Sequence, residues 1–168
     1  MKPLVLLDVD GPLNPFAAET PPPGYAEWQW RLSRWRRKAA RRAWLNPGHG
    51  VALRELVERT GAELAWATSW EELANTTVGP ALGLPALPVV GVRAYDQHPD
   101  WKYGAVGRFA AGRALAWLDD DFSLFPAARE RFLARRGELV TALIEVDPTA
   151  GLDAGHLAAV ETALRAGR

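Results

Sequence analysis

The sequence contains no cysteine, which excludes disulfides, thiolate zinc sites, iron–sulfur clusters and cysteine nucleophiles together. Its histidines, His49, His98 and His156, are too scattered to suggest a metal site. Net charge is absent as well: Lys plus Arg and Asp plus Glu each total 20, so the whole-chain balance gives no pull toward nucleic acid or a membrane. No stretch approaches the ~18 apolar residues of a membrane span. The apolar run ending at Leu7 is too short for a signal-peptide core, and Asp8 and Asp10 follow it at once. These absences predict a cytoplasmic protein with no membrane partner. Internal repeats are missing too, and the only low-complexity run, Pro21-Pro22-Pro23, reads as a rigid connector.

What is present is ordinary in amount and uneven in place. A chain of 168 residues, 48% hydrophobic and 24% charged, has the size and composition of one globular domain. Residues 1–50 hold eight basic and four acidic side chains, whereas 51–100 hold three basic and seven acidic. The basic excess is a cluster of Arg31, Arg34, Arg36, Arg37, Lys38, Arg41 and Arg42, flanked or interrupted by Trp28, Trp30, Trp35 and Trp44. Such a cluster reads as the solvated face of a helix. It reads equally as a small cap within residues 16–46 that brings Arg37 and its neighbours over an anionic ligand. Trp28 and Trp35 are then core residues of that helix or platforms for a stacked base.

Short apolar runs alternate with helical patterns. Strands are expected at 3–9, 62–67, 87–92, 114–118 and 139–146, the first a short continuous apolar run, as in a sheet buried on both faces. Helices are expected at 25–44, 51–60 with Gly61 as its C-terminal cap, 71–77, 101–112 behind Asp100, 125–136, and from Asp153 to Leu164. Residues 79–88 read as a Gly- and Pro-rich loop. The implied fold is α/β: a Rossmann-like three-layer sandwich with a mostly parallel sheet of about five strands and a minimal cap.

Ligands of such sheets sit beyond the carboxyl ends of the strands. The polar residues there are Asp8 and Asp10, then Thr68 and Ser69, then Asp119, Asp120 and Asp121, with Lys102 at a helix start. Carboxylates gathered at one edge repel unless a cation lies between them, and oxygen ligands alone favour a hard ion such as magnesium (Mg2+). A caged cation, a lysine and a hydroxyl make a receptor for phosphate, with Asp8 as candidate nucleophile. Each residue also has a plain reading. The first two acids can simply end a strand, Thr68 can cap a helix, and the triple acid can be a solvated turn. Arg93 or Arg108 can stand in for Lys102, although the chain has only three lysines.

Asp8-Val9-Asp10-Gly11 after an apolar strand, Thr68 closing the next strand, Lys102 at a helix start and Leu118-Asp119-Asp120 after Ala-Leu-Ala-Trp occur in that order. In this the sequence resembles the haloacid dehalogenase-like (HAD) superfamily of phosphohydrolases. The stretches Asp8 to Pro15, Trp66 to Trp70 and Trp117 to Asp120 are most similar to small HAD domains of the RNA-repair-associated type. The resemblance implies that Asp8 attacks phosphorus and carries an aspartyl-phosphate. It implies that Asp10 is general acid and base, that Thr68 or Ser69 binds a phosphoryl oxygen, and that Lys102 neutralises its charge. Magnesium would be held by Asp8, the backbone carbonyl of Asp10, and Asp119 or Asp120. The expected activity is hydrolysis of a phosphate monoester on a small molecule, a nucleotide or a nucleic-acid end. The alternative is a non-catalytic module on the same fold that binds a phospho-ligand or nucleic acid. A response-regulator receiver uses similar residues in another order, with its lone phospho-acceptor aspartate mid-chain.

Overall fold

A computed structural model describes residues 1–30, 41–92 and 101–166. Strands β1 (Leu4–Leu7), β4 (Glu63–Trp66), β5 (Leu115–Asp119) and β6 (Thr141–Glu145) form one parallel sheet in the order β4-β1-β5-β6. Strands β2 (Ala26–Trp30) and β3 (Arg41–Leu45) form a separate antiparallel pair between β1 and the first helix. The helices are α1 (Gly48–Thr60), α2 (Glu72–Thr76), α3 (Val78–Ala81), α4 (Trp101–Phe109), α5 (Pro126–Arg136) and α6 (Ala154–Ala166). None of the described helices is long and apolar enough to cross a membrane.

The fold is the expected α/β sandwich. Every side chain of β1 and of β5 is buried, as a central parallel strand covered on both faces requires. Val5 and Leu7 join one core with Leu53 and Leu56 of α1 and Leu157, Val160 and Leu164 of α6. Leu4 and Leu6 face the other way, into a core with Val106 of α4 and Phe132 of α5. The chain leaves β1 for β4 on one side, then crosses to β5 on the other. That reversal puts a topological switch point at the carboxyl end of β1, where an open α/β sheet binds its ligand.

Several expected boundaries hold in outline. Gly61 ends α1 in the left-handed conformation with φ 62°, and the Asp153 carboxylate accepts the His156 backbone N–H at 2.9 Å to cap α6. Asp100, the expected cap of α4, lies outside the described residues. The helix expected at 51–60 begins earlier, at Gly48. Gly50 serves close packing there, because a Cβ would lie 1.6 Å from the Leu82 carbonyl oxygen. The expected loop at 79–88 opens with the short α3.

Two expectations change. The predicted strand at 87–92 is reduced to one parallel bridge, Trp66 to Val89. Pro85 and Pro88 both precede it, and a proline has no N–H to extend a ladder on that side. The predicted helix at 25–44 is overturned at both of its described ends, which are the paired strands β2 and β3. Residues 31–40, with Arg31, Arg34, Arg36, Arg37, Lys38 and Trp35, lie outside the described residues. The physical reason is the period: Ala43 and Leu45 are buried while Trp44 between them is only half-buried, an alternation proper to a strand. Aromatic-rich Glu27-Trp28-Gln29-Trp30 suits a pleated surface better than a helix.

Candidate active site at the carboxyl edge of the sheet

Register decides which residues meet. Leu7 pairs with Trp66 on one side and with Leu118 on the other. Asp8, Asp119 and, two residues past Trp66, Thr68 therefore leave the sheet at one edge. Asp8 is buried, and its Oδ1 accepts the Val9 backbone N–H at 2.6 Å while Oδ2 accepts from the Lys102 ammonium. Lys102 is the second residue of α4 and is only 2% exposed. Its Nζ also reaches Asp119 Oδ2 at 2.7 Å and Asp121 Oδ2 at 3.8 Å, and it sits 4.6 Å from the centroid of the Trp101 ring. Arg108, the alternative cation, is exposed further along α4, and Arg93 lies outside the described residues.

Asp119 is fully enclosed. Its Oδ2 accepts a second hydrogen bond from the Trp117 indole at 3.0 Å, and its Oδ1 accepts the Asp121 backbone N–H at 3.1 Å. Asp120 is half-buried and leans over Gly11, whose φ is +83°. A Cβ on Gly11 would lie 2.5 Å from the Asp120 carboxyl carbon. Glycine is needed there twice over, for the left-handed turn and for the space Asp120 occupies.

One ammonium thus faces several carboxylates. Burial, then Asp121 and Asp8, push the Asp120 carboxyl up to about 6. Burial raises Asp119 well above the usual carboxylate range, against the pull of Lys102 and with Asp8 adding to the rise. Asp121 is raised chiefly by burial too. Burial alone would lower the Lys102 pKa, but Asp8 and Asp119 outweigh it and hold the pKa above that of an ordinary lysine. Oxygens of Asp8, Asp119 and Asp120 lie within 4.8 Å of one another. An all-oxygen, charge-rich donor set of that span fits a small hard divalent cation such as Mg2+.

Asp10 stands apart from this cluster. Its Oδ1 accepts the Asn14 amide N–H at 2.7 Å and its Oδ2 accepts the Trp70 indole N–H at 2.7 Å. Burial raises its pKa although both donors oppose the shift. Its side chain is not among the clustered oxygens; the metal role expected of it is through its backbone carbonyl.

Thr68 is buried and Ser69 exposed. Thr68 Oγ1 accepts the Trp70 backbone N–H at 3.3 Å, which leaves its own O–H to donate elsewhere. The structure therefore brings together Asp8, Asp119, Asp120 and Lys102, sets Asp10 beside them and Thr68 on the same edge. It turns Ser69 outward and says nothing of Arg37. Sequence reasoning assigned no role to Asn14 or Trp70. Both lie inside the stretches that carry the family resemblance, but a neutral amide or indole adds nothing to a charge pattern.

Compared with known proteins, residues 4–157 match the family described as the HAD domain in Swiss Army Knife RNA repair proteins. The match covers most of the chain, which belongs to that family. No curated protein matches it, and no solved structure does.

Proposed function

We propose that this member of the HAD domains of RNA repair proteins hydrolyses a phosphate monoester, with Asp8 as nucleophile and Mg2+ as cofactor. The observation that carries the reading is the joint burial of Asp8, Lys102 and Asp119 at the switch point, with Asp120 close by. Mutually repelling carboxylates in such a place cost stability, so their gathering there suits a ligand that brings positive charge.

In this reading one Asp8 oxygen attacks phosphorus and the bond to the leaving oxygen breaks. Asp10, kept protonated more readily by burial, gives its proton to that oxygen. It then takes a proton from the water that cleaves the aspartyl-phosphate. Lys102 orients Asp8 and balances charge on the phosphoryl oxygens, and the free Thr68 O–H donates to one of them. Asp8, Asp119 and Asp120 would hold the cation, with the Asp10 carbonyl as a further ligand. When bound, the cation supplies Lewis-acid stabilisation of the transferring group.

The family's description favours a phosphorylated RNA end as substrate over a free metabolite. The test is phosphate release from an aryl phosphate, a nucleotide panel and oligonucleotides phosphorylated at either end, with and without Mg2+. Mg2+-dependent release, lost in Asp8→Asn, is the expected result. Binding of phosphate without release from any of these would instead make the protein a phospho-ligand module.

A further inference from the structure

We propose that Trp70 and Asn14 are positioning residues for Asp10, aiming its carboxyl at the leaving oxygen, and that Asn14 ties this aim to the β2–β3 pair. The proposal rests on the phosphatase reading above. It starts from what a proton donor needs. A carboxyl group rotates about its Cβ–Cγ bond, and only some orientations point the acidic proton at a given atom. A general acid is effective only within hydrogen-bond reach of the oxygen it protonates, and misplacement by about 1 Å can cost ~100-fold.

Among the described residues no cation is paired with the Asp10 carboxyl. Lys102 is bound to Asp8, Asp119 and Asp121. In its place each Asp10 oxygen has one neutral donor, Asn14 Nδ2 on Oδ1 and Trp70 Nε1 on Oδ2, both at 2.7 Å. Two donors on two different oxygens fix the carboxyl plane. They also leave one lone-pair direction on each oxygen, so a proton can sit there and be delivered. Trp70 suits the task because an indole N–H can only donate, so its contact survives whether or not Asp10 carries the proton on its other lone pair.

Asn14 is itself held at both ends of its side chain. Its loop is closed by the Gly11 N–H to the Asn14 carbonyl at 2.9 Å and by Asn14 N–H to the Val9 carbonyl at 2.8 Å. Its Oδ1 accepts the Trp44 backbone N–H of β3 at 3.0 Å. One buried amide therefore spans the inserted strand pair and the carboxyl of Asp10. Seating of the strand pair and aim of the acid are set by the same side chain.

The bond changes make the test specific. When Asp8 displaces the leaving oxygen, the proton on Asp10 goes to that oxygen and Asp10 becomes a carboxylate. An aryl oxide leaves readily without that proton, whereas an alkoxide does not. The value of kcat/KM covers steps up to formation of the aspartyl-phosphate, so it reads Asp10 as acid only. Two variants separate aim from fold. Trp70→Phe deletes the N–H and keeps a ring in place. Asn14→Ala removes the donor to Asp10 without setting a charge beside it, and its melting reads the loss of the acceptor for Trp44.

Each should lower kcat/KM for an alkyl phosphate such as glycerol 2-phosphate by ~10–100-fold. For p-nitrophenyl phosphate the loss should stay within a few-fold, and inhibition by inorganic phosphate should be unchanged. Equal loss on both substrates, or no loss on either, overturns the proposal while leaving the phosphatase reading intact. Failure of both variants to fold, seen by near-ultraviolet circular dichroism and melting, assigns the pair to stability and overturns it as well. Absence of turnover in the unaltered protein is a failure of the phosphatase reading itself.

Discussion

Asp8 and Asp10 leave the same strand two residues apart, yet they enter opposite surroundings. The Asp8 side is ionic: Lys102 bridges Asp8 and Asp119, and Asp120 and Asp121 crowd around them. The Asp10 side is neutral: an amide and an indole hold the carboxyl, and burial raises its pKa. Two carboxyls held in surroundings this different are suited, in the phosphatase reading, to the separate tasks of nucleophile and acid. The loop geometry makes it work, because Gly11 turns left-handed and sends Asn14 back under Asp10.

The sharpest break of this comparison is substitution of the two acids in parallel. Asp8→Asn should abolish turnover, by ~10⁴-fold or more for a lost nucleophile. Asp10→Asn should slow it by ~10²–10⁴-fold, the usual worth of a general acid. Asp10→Asn should melt near the temperature of the unaltered protein, whereas Asp8→Asn, which takes a charged acceptor from Lys102, should lose about 1–3 kcal/mol of stability and keep its near-ultraviolet circular dichroism. Phosphate release measured beside melting checks this, and full activity in Asp8→Asn rules out the mechanism.

The ionic side can be divided further. Both oxygens of Asp119 already accept from Lys102, Trp117 or Asp121, whereas Asp120 is half-buried against Gly11. Asp120→Asn should raise the Mg2+ concentration for half-maximal activity by ~10-fold or more with little loss of stability. Asp119→Asn should cost about 1–3 kcal/mol of stability, because Lys102 and the Trp117 indole lose a charged acceptor. A Mg2+ titration and a denaturant curve on each variant separate them. Identical behaviour of the two would mean that the acidic turn acts as a unit.

Removing the metal tests the same crowding. Asp10, Asp119, Asp120 and Asp121 all have folded-state pKa values above 3.8, that of Asp120 about 6. Between 3.8 and 6 these four carboxyls bind more protons in the folded chain than in the unfolded one, and their contribution to stability falls as pH rises, against the smaller opposite contributions of His49, Asp147 and Asp153. Melting of the protein in chelator should drop from pH 4 toward pH 7, and Mg2+ should restore it at pH 7. A Mg2+-free melting temperature that climbs over this range contradicts the assignment.

The smallest effect belongs behind the neutral side. The Tyr25 hydroxyl reaches the Pro12 and Leu152 carbonyls, both at 3.4 Å. These are long contacts, so Tyr25→Phe should cost at most about 0.5 kcal/mol and leave kcat/KM unchanged. A larger loss of activity would mean that the loop carrying Asp10 depends on this ring for more than packing.

Sequence by itself determined the sheet and the charged half of the site. Continuous apolar runs at 4–7 and 115–118 have no polar face to turn to solvent, so they had to be central parallel strands. Acids directly after such runs had to stand together at the carboxyl edge, since parallel strands all end there. Charge is visible in a sequence because its type is its chemistry. Tertiary structure alone decided the rest. The paired strands at 26–30 and 41–45 were read as one helix, because tryptophans at 28 and 35 match a helical period until β3 lies beside β2. Trp70 and Asn14 became partners of Asp10 only when a turn and a second strand end brought neutral groups 60 and four residues distant to 2.7 Å. A neutral hydrogen bond has no signature apart from the geometry that makes it, and long-range geometry is what packing supplies.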